Sequence, residues 1–238
     1  MHPIPKITRR KLSDEVFDRL YEMIESGQYH PGDSLPSERE LMDTYGVGRP
    51  AIREAMQSLE RIGLVGINHG QRPTVLQPTA MGLISQIDLT ARHMLASSSQ
   101  ALEQLKEARV FFELGMVEKA ASQATVEDVA QLKALLAEQR SHLNEDAEAF
   151  IRADMAFHTA IAAMTRNPIF TATSQAMLGW LARFHASILH WEGNEEITLM
   201  EHERIIGCIE AAEPEQAVSE MRKHLERARA LYALGKPT

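Results

Sequence analysis

Between Leu35 and Gly63 the signals that start and stop helices follow one another so closely that only two short helices and a tight turn fit. In Leu35-Pro-Ser-Glu-Arg-Glu-Leu41, Ser37 and Glu40 have the spacing of a reciprocal capping box, so a helix starts at Ser37. Gly46 stops it. Pro50 then falls in the first turn of the next helix, where a missing N–H is harmless, and Ile52, Ala55, Met56 and Leu59 give that helix an apolar face up to Gly63. Two short helices across a glycine-containing turn make a helix-turn-helix. Upstream, Val16, Leu20 and Ile24 mark a core-forming helix that begins at Leu12-Ser13, with Ser13 in the capping position and Gly27 at its end. Downstream, Leu64–Ile67 and Arg72–Leu76 read as short strands around Asn68-His69-Gly70-Gln71, a wing with His69 at its tip.

The arginines of this segment are placed for nucleic acid. Arg49 precedes the first turn of the third helix and Arg53 lies a turn later, so guanidinium groups and free backbone amides share one helix end; Arg39 adds a cation on the helix before. By spacing alone, a solvated face on a structural bundle accounts for them equally well. A net charge of −8 excludes a protein that coats nucleic acid indiscriminately, because that needs a basic footprint. Acidic and basic residues nearly cancel even within residues 1–78, so any DNA contact is local.

The texture changes near Pro78, which predicts two domains, 1–78 and 79–238. The second has long 3.6-period runs, few β-branched clusters and little internal glycine, the pattern of an all-helical bundle of six or seven helices. Asn167-Pro168 and Glu213-Pro214 mark helix boundaries. The expected fold is therefore mainly α, a winged helix-turn-helix followed by a helical bundle. Cys208 is the only cysteine, no apolar run has the length of a membrane span, and no signal-type stretch follows the basic N-terminus, which together predict a cytoplasmic protein without a membrane partner.

Four side chains of the second domain suggest chemistry. Asp154 and His158 lie at i and i+4 and share a helix face; His202 and His224 fall on two later helices. Facing one another, they would make a nitrogen and oxygen site for a divalent metal. Scattered histidines are more often structural, and His142, His185 and His190 also lie on predicted helices.

Two sets of motifs resemble a known family. Leu35-Pro-Ser-Glu-Arg-Glu-Leu41, Gly46-Val-Gly-Arg-Pro-Ala-Ile-Arg-Glu-Ala55, Gly63-Leu-Val and Asn68-His-Gly70 are similar to the DNA-binding domain of the GntR family of regulators, and Val47-Gly-Arg-Pro50 with Asn68-x-Gly70-x-Arg72 is most like its NanR branch. Asp154-x-x-Phe157-His158, Asn167-Pro168, Glu201-His202 and Met221-Arg-Lys-His224-Leu225 resemble the FCD ligand-binding domain of the family's FadR branch.

The resemblance implies that Arg39, Arg49 and Arg53 contact bases or phosphates and that His69 and Gly70 of the wing lie near the minor groove, with Ser37, Gly48 and Pro50 beside them as weaker candidates. It implies a metal on Asp154, His158, His202 and His224, with zinc first and nickel or manganese as alternatives. It also implies a small organic acid or acidic sugar as effector. Arg109 would pair with the effector carboxylate, with Arg152 and Asn167 as lesser pocket candidates. An ion pair of Arg109 with Glu113 at i+4 is the plainer role. Arg166 stands where glycine is common and would line the pocket rim or point into water. Arg9, Arg10 and Lys11 form a basic arm that reaches phosphates or stays solvated. A homodimer on a palindromic operator follows, acting as a repressor.

Two rivals compete. A metal-dependent hydrolase would use the same Asp and His ligands, and His202-Glu203-Arg204-Ile205-Ile206 begins like a zinc-protease helix, but Ile206 stands where the second histidine should be. A constitutive architectural protein leaves the second domain unexplained.

Overall fold

The capping box at Ser37 forms as its spacing predicts. In the computed structural model, which describes residues 10–68, 70–189 and 195–234, Ser37 accepts from the Glu40 amide at 3.3 Å and donates its own amide to Glu40 at 2.7 Å. The chain divides into two compact units, residues 1–86 and 87–238.

The first unit contains α1 (Leu12–Glu25), α2 (Glu38–Tyr45), α3 (Arg49–Arg61), β1 (Val65–Gly66) and β2 (Thr74–Val75). Gly46, left-handed at φ 63°, closes α2, and Pro50 stands in the first turn of α3. Leu20, Leu35, Ile52, Leu59 and Val65 are fully buried in one core. Ser13 does not cap α1. The cap falls two residues earlier, at Lys11, and Ser13 lies on the stripe of Val16 and Leu20, so its side chain is turned inward and buried. The wing strands are shorter than expected, with Val65 opposite Val75 and Gly66 opposite Thr74. On its other side β2 is bridged by the segment before α2: Ser34 pairs with Thr74, and Leu35 donates to the Pro73 carbonyl at 2.8 Å.

The second unit is helical, built from α5 (Ser99–Gln123), α6 (Val126–Ser141), α7 (Ala147–Met164), α8 (Pro168–Leu189), α9 (Glu195–Glu210) and α10 (Pro214–Leu234); α4 (Ala80–Ser97) carries the boundary between the units. Both predicted proline boundaries hold. α5 packs against α7, α8, α9 and α10, which places its side chains at the centre of the bundle. Val117, Leu132, Phe157, Ile161, Ile205 and Met221 are among the core residues. Asn167 is the cap of α8: its Oδ1 accepts the Ile169 amide at 3.0 Å, with Pro168 at the first helical position. Among the described residues, no helix is long and apolar enough to cross a membrane.

Candidate functional site

Two groups of side chains answer to the sequence reading. On the first unit, Arg49 and Arg53 stand at the start of α3 with most of their side chains exposed, and each pairs through Nε with Glu38, at 3.2 Å. Arg39 is exposed on α2. Gly48 is the cap position of α3 and contributes no side-chain bond there; Gly70 is left-handed at φ 75°. The Ser37 hydroxyl is engaged with Glu40, whose other oxygen pairs with Arg72 at 3.0 Å, so Ser37 serves the start of α2 and ties it to the wing. Of the basic arm, Arg10 pairs with Asp18, and Lys11 with Glu54 at 3.4 Å. His69 and Arg9 lie outside the described residues.

In the second unit α7, α9 and α10 bring His158, His202 and His224 together, all three buried, with ligand nitrogens within 4.8 Å of one another. Asp154 stands at the rim, its oxygens 3.6 Å from Nε2 of His202 and 3.9 Å from Nε2 of His158. Each imidazole has its Nδ1 on an outer acceptor. His224 Nδ1 is 2.8 Å from Glu201, His202 Nδ1 is 2.9 Å from the Gln139 oxygen, and His158 Nδ1 is in direct contact with Glu113. Gln139 is itself oriented, because its amide donates to Asp154 at 3.2 Å. An ionised carboxylate or an amide oxygen only accepts, so the proton of each ring belongs on Nδ1 and the Nε2 lone pairs turn inward.

That arrangement suits a cation. Nε2 of His158 and of His224 are 3.3 Å apart, and Nε2 of His202 is buried without a hydrogen-bond partner. Converging lone pairs repel unless a positive charge lies between them, and carboxylates behind the rings are the usual support of metal-binding histidines. Burial pushes the His202 imidazole well below its ordinary pKa, helped by the neighbouring histidines and arginines. His224 is lowered by burial as well, against the pull of Glu201. Both are therefore neutral, as ligands must be. Phe157 stacks on His202 at 3.9 Å between centroids and fixes its plane.

The outer carboxylates carry their own cations. Arg227 forks onto Glu201 at 2.7 and 2.8 Å; although burial raises the Glu201 carboxyl, His224 and Arg227 bring it down to about 2. Arg109 pairs with Glu113 through Nε, both buried, and with His158 it holds Glu113 far below the carboxylate range in spite of burial. Arg109 thus occupies its i+4 pairing, one residue removed from His158.

The remaining candidates lie elsewhere. Arg152 is exposed and pairs with Glu148, because it falls on the outer face of α7. Arg166 pairs with Asp128 while 54% of its side chain stays exposed. Sequence reading missed Gln139 and Arg227, and gave no role to Glu38 or Glu201 although both stand in the quoted motifs, beside Arg39 and His202.

Comparison with known proteins agrees with this division. Residues 12–75 match the family described as bacterial regulatory proteins, gntR family, and residues 104–227 match the FCD domain. The chain is 38% identical over 233 residues to the HTH-type transcriptional repressor NanR of Klebsiella aerogenes, covering 97% of this chain and 89% of that one. It is 37% identical to the NanR repressor of Salmonella typhimurium, covering 97% and 88%. In fold it is similar to Streptococcus agalactiae GntR (TM-score 0.63, 21% identity, 92% of this chain and 99% of that one). It is also similar to E. coli McbR/YncC (TM-score 0.53, 18% identity, 96% and 100%).

Proposed function

The chain belongs to the GntR family of transcription regulators and joins its DNA-binding domain to an FCD domain, and from that premise we propose that it is a repressor whose hold on operator DNA is set by a small organic acid or acidic sugar bound beside a divalent metal. Membership makes it a regulator and not an enzyme, and the hydrolase reading, which rested on the Asp and His cluster alone, falls. The observation that supports the effector half is the convergence of three buried histidines, with Asp154 at their rim.

His158, His202, His224 and Asp154 would hold the ion, zinc in the first place and nickel or manganese otherwise. When bound, it supplies positive charge and positions open to a carboxylate. Arg109 stands behind His158 with Glu113 between them, and its ion pair holds the carboxylate that supports the ring. An effector that binds two arrangements of the protein unequally shifts their populations, and with them the spacing of paired DNA-reading heads. Paired heads mean a homodimer, since one winged module covers a single half-site.

The test is elemental analysis of the purified protein, with thermal-shift screening against carboxylate metabolites, on wild type and His202→Ala. The wild type is expected to hold metal and to respond to one class of acid; the variant is expected to lose both yet keep DNA binding. An effector response undiminished after metal removal would refute the reading. Arg53→Ala is expected to lose discrimination worth about 1–3 kcal/mol between operator and random duplex, with its circular dichroism unchanged.

A further inference from the structure

Glu38 is the first residue of α2, and its two oxygens are divided between the two arginines that open α3. Oε2 lies 3.2 Å from Nε of Arg49, and Oε1 lies 3.2 Å from Nε of Arg53. We infer that Glu38 is a specificity-determining positioning residue: it sets both recognition-helix guanidinium groups for base reading and opposes binding to phosphate alone. The inference rests on the DNA-reading assignment above and gives a role to a residue that the quoted motif contains but to which it assigned none.

Geometry carries the first half. Both ion pairs engage Nε, the inner nitrogen of the guanidinium. The outer edge, with its two Nη groups, is the one that meets the paired O6 and N7 acceptors of guanine in an end-on fork. Arg49 and Arg53 side chains are 64% and 63% exposed, so nothing else encloses them. A flexible arginine loses rotamer freedom when it binds, and one already tethered at Nε loses less. Tethering both from one carboxylate also fixes their separation, which matters when each must meet a different base.

Charge carries the second half. Binding to any duplex is driven by neutralised phosphates, and a carboxylate at the reading end of α3 weakens that attraction at every site alike. Contacts to the correct bases offset the loss only at the cognate sequence. Glu38 thus lowers affinity everywhere and returns discrimination at one place, the pattern of specificity built by disfavouring alternatives.

A plainer role exists: an acid in the first turn of α2 favours the helix through its dipole. Aspartate would serve that role equally, but one methylene shorter it cannot reach both arginines. The experiment therefore uses the full chain as wild type, Glu38→Gln and Glu38→Asp. The wild type selects duplexes from a randomised pool, and each protein is then titrated with the enriched duplex and with the unselected pool. Both variants are expected to lose about tenfold in the ratio of the two affinities, and Glu38→Gln to bind the unselected pool more tightly than wild type. Far-ultraviolet circular dichroism confirms that each variant is folded. A Glu38→Asp ratio equal to wild type would overturn the inference in favour of the dipole role. So would a Glu38→Gln ratio unchanged by equal tightening on both duplexes. If the wild type enriches no sequence at all, the DNA-reading assignment itself fails and this inference with it.

Discussion

Arg166, left-handed at φ 57°, lays both Nη groups on the carboxylate of Asp128, at 3.1 and 2.5 Å. Asp128 is also the reciprocal partner of Thr125 in the capping box of α6, so the end of α7 and the start of α6 are fastened at one carboxylate. Arg166 lowers the Asp128 carboxyl most, burial opposes it, and the Thr125 amide and hydroxyl lower it further. A carboxylate with a depressed folded pKa contributes stability above its unfolded pKa of about 4, and that contribution is lost as pH falls through the folded value. Arg166→Ala is expected to be less stable than wild type at pH 7, with the gap closing in strong acid. Arg166→Gly loses the same pair but relieves a left-handed residue, a relief of about 1–2 kcal/mol. Urea midpoints at the two pH values check the order, glycine above alanine.

Acid acts on the histidine cluster by the opposite chemistry. His202 and His224 are buried and lowered below the ordinary histidine pKa of about 6.5, so in chelator-treated protein the unfolded chain takes up protons that the folded chain refuses. Stability is then full above the unfolded value and falls as pH drops below it. The slope approaches about 1.4 kcal/mol per pH unit for each such histidine. Denaturant titrations of the chelated protein from pH 7.5 to 5 are expected to show this fall, and His224→Gln to flatten it. A metal-loaded sample should resist until its ligands protonate.

What was legible depended on range along the chain. The capping box of Ser37 and Glu40, the glycine stop at Gly46 and the proline boundaries at Pro168 and Pro214 are local signals, and all formed. Ser13 misled because a serine before an apolar run reads as a cap, whereas its position on the stripe of Val16 and Leu20 was equally visible. Asp154 with His158 and Arg109 with Glu113 were readable as i, i+4 pairs. Which other histidines join them was legible only through the family resemblance, since His202 and His224 arrive on helices whose packing no local rule dictates; His142, of the same residue type, ends as the cap of α6. The supports Gln139 and Arg227 left no local trace, because their partners lie on other helices. Asn167 was read for a pocket, while its chemistry beside Pro168 was that of a helix cap.

Glu201 tests whether the supports matter. Its carboxylate accepts from His224 Nδ1 and from the fork of Arg227, and at about 2 its pKa keeps it ionised across the physiological range. Glu201→Gln retains the shape but removes the charge behind the ring. Loss of such a partner costs about 10–100-fold in metal affinity. Competition with a chelating dye is expected to give that loss for zinc at unchanged stoichiometry, and the loss should persist at pH 6. An unaltered affinity would leave Glu201 a structural residue of α9 and α10 only.

Gly63 offers a separate test at the far end of α3. It is left-handed at φ 74°, and a Cβ built there meets Nε2 of Gln86 at 2.7 Å, the nitrogen that donates to the Ile62 carbonyl at 2.6 Å. Gly63→Ala therefore carries two penalties: a backbone cost of about 1–2 kcal/mol for a left-handed alanine, and displacement of Gln86 from the end of the helix. Gln86 is exposed, so water can replace it at the carbonyl, and Gln86→Ala alone is expected to cost less than about 0.5 kcal/mol. Because the two positions share one contact, their effects should not add. Gly63→Ala with Gln86→Ala is expected to be more stable than the sum of the single changes, by the steric share, while retaining the backbone share. Chemical denaturation of the four proteins decides it. Strict additivity would mean that the Gln86 side chain yields freely, and that only the backbone of position 63 requires glycine.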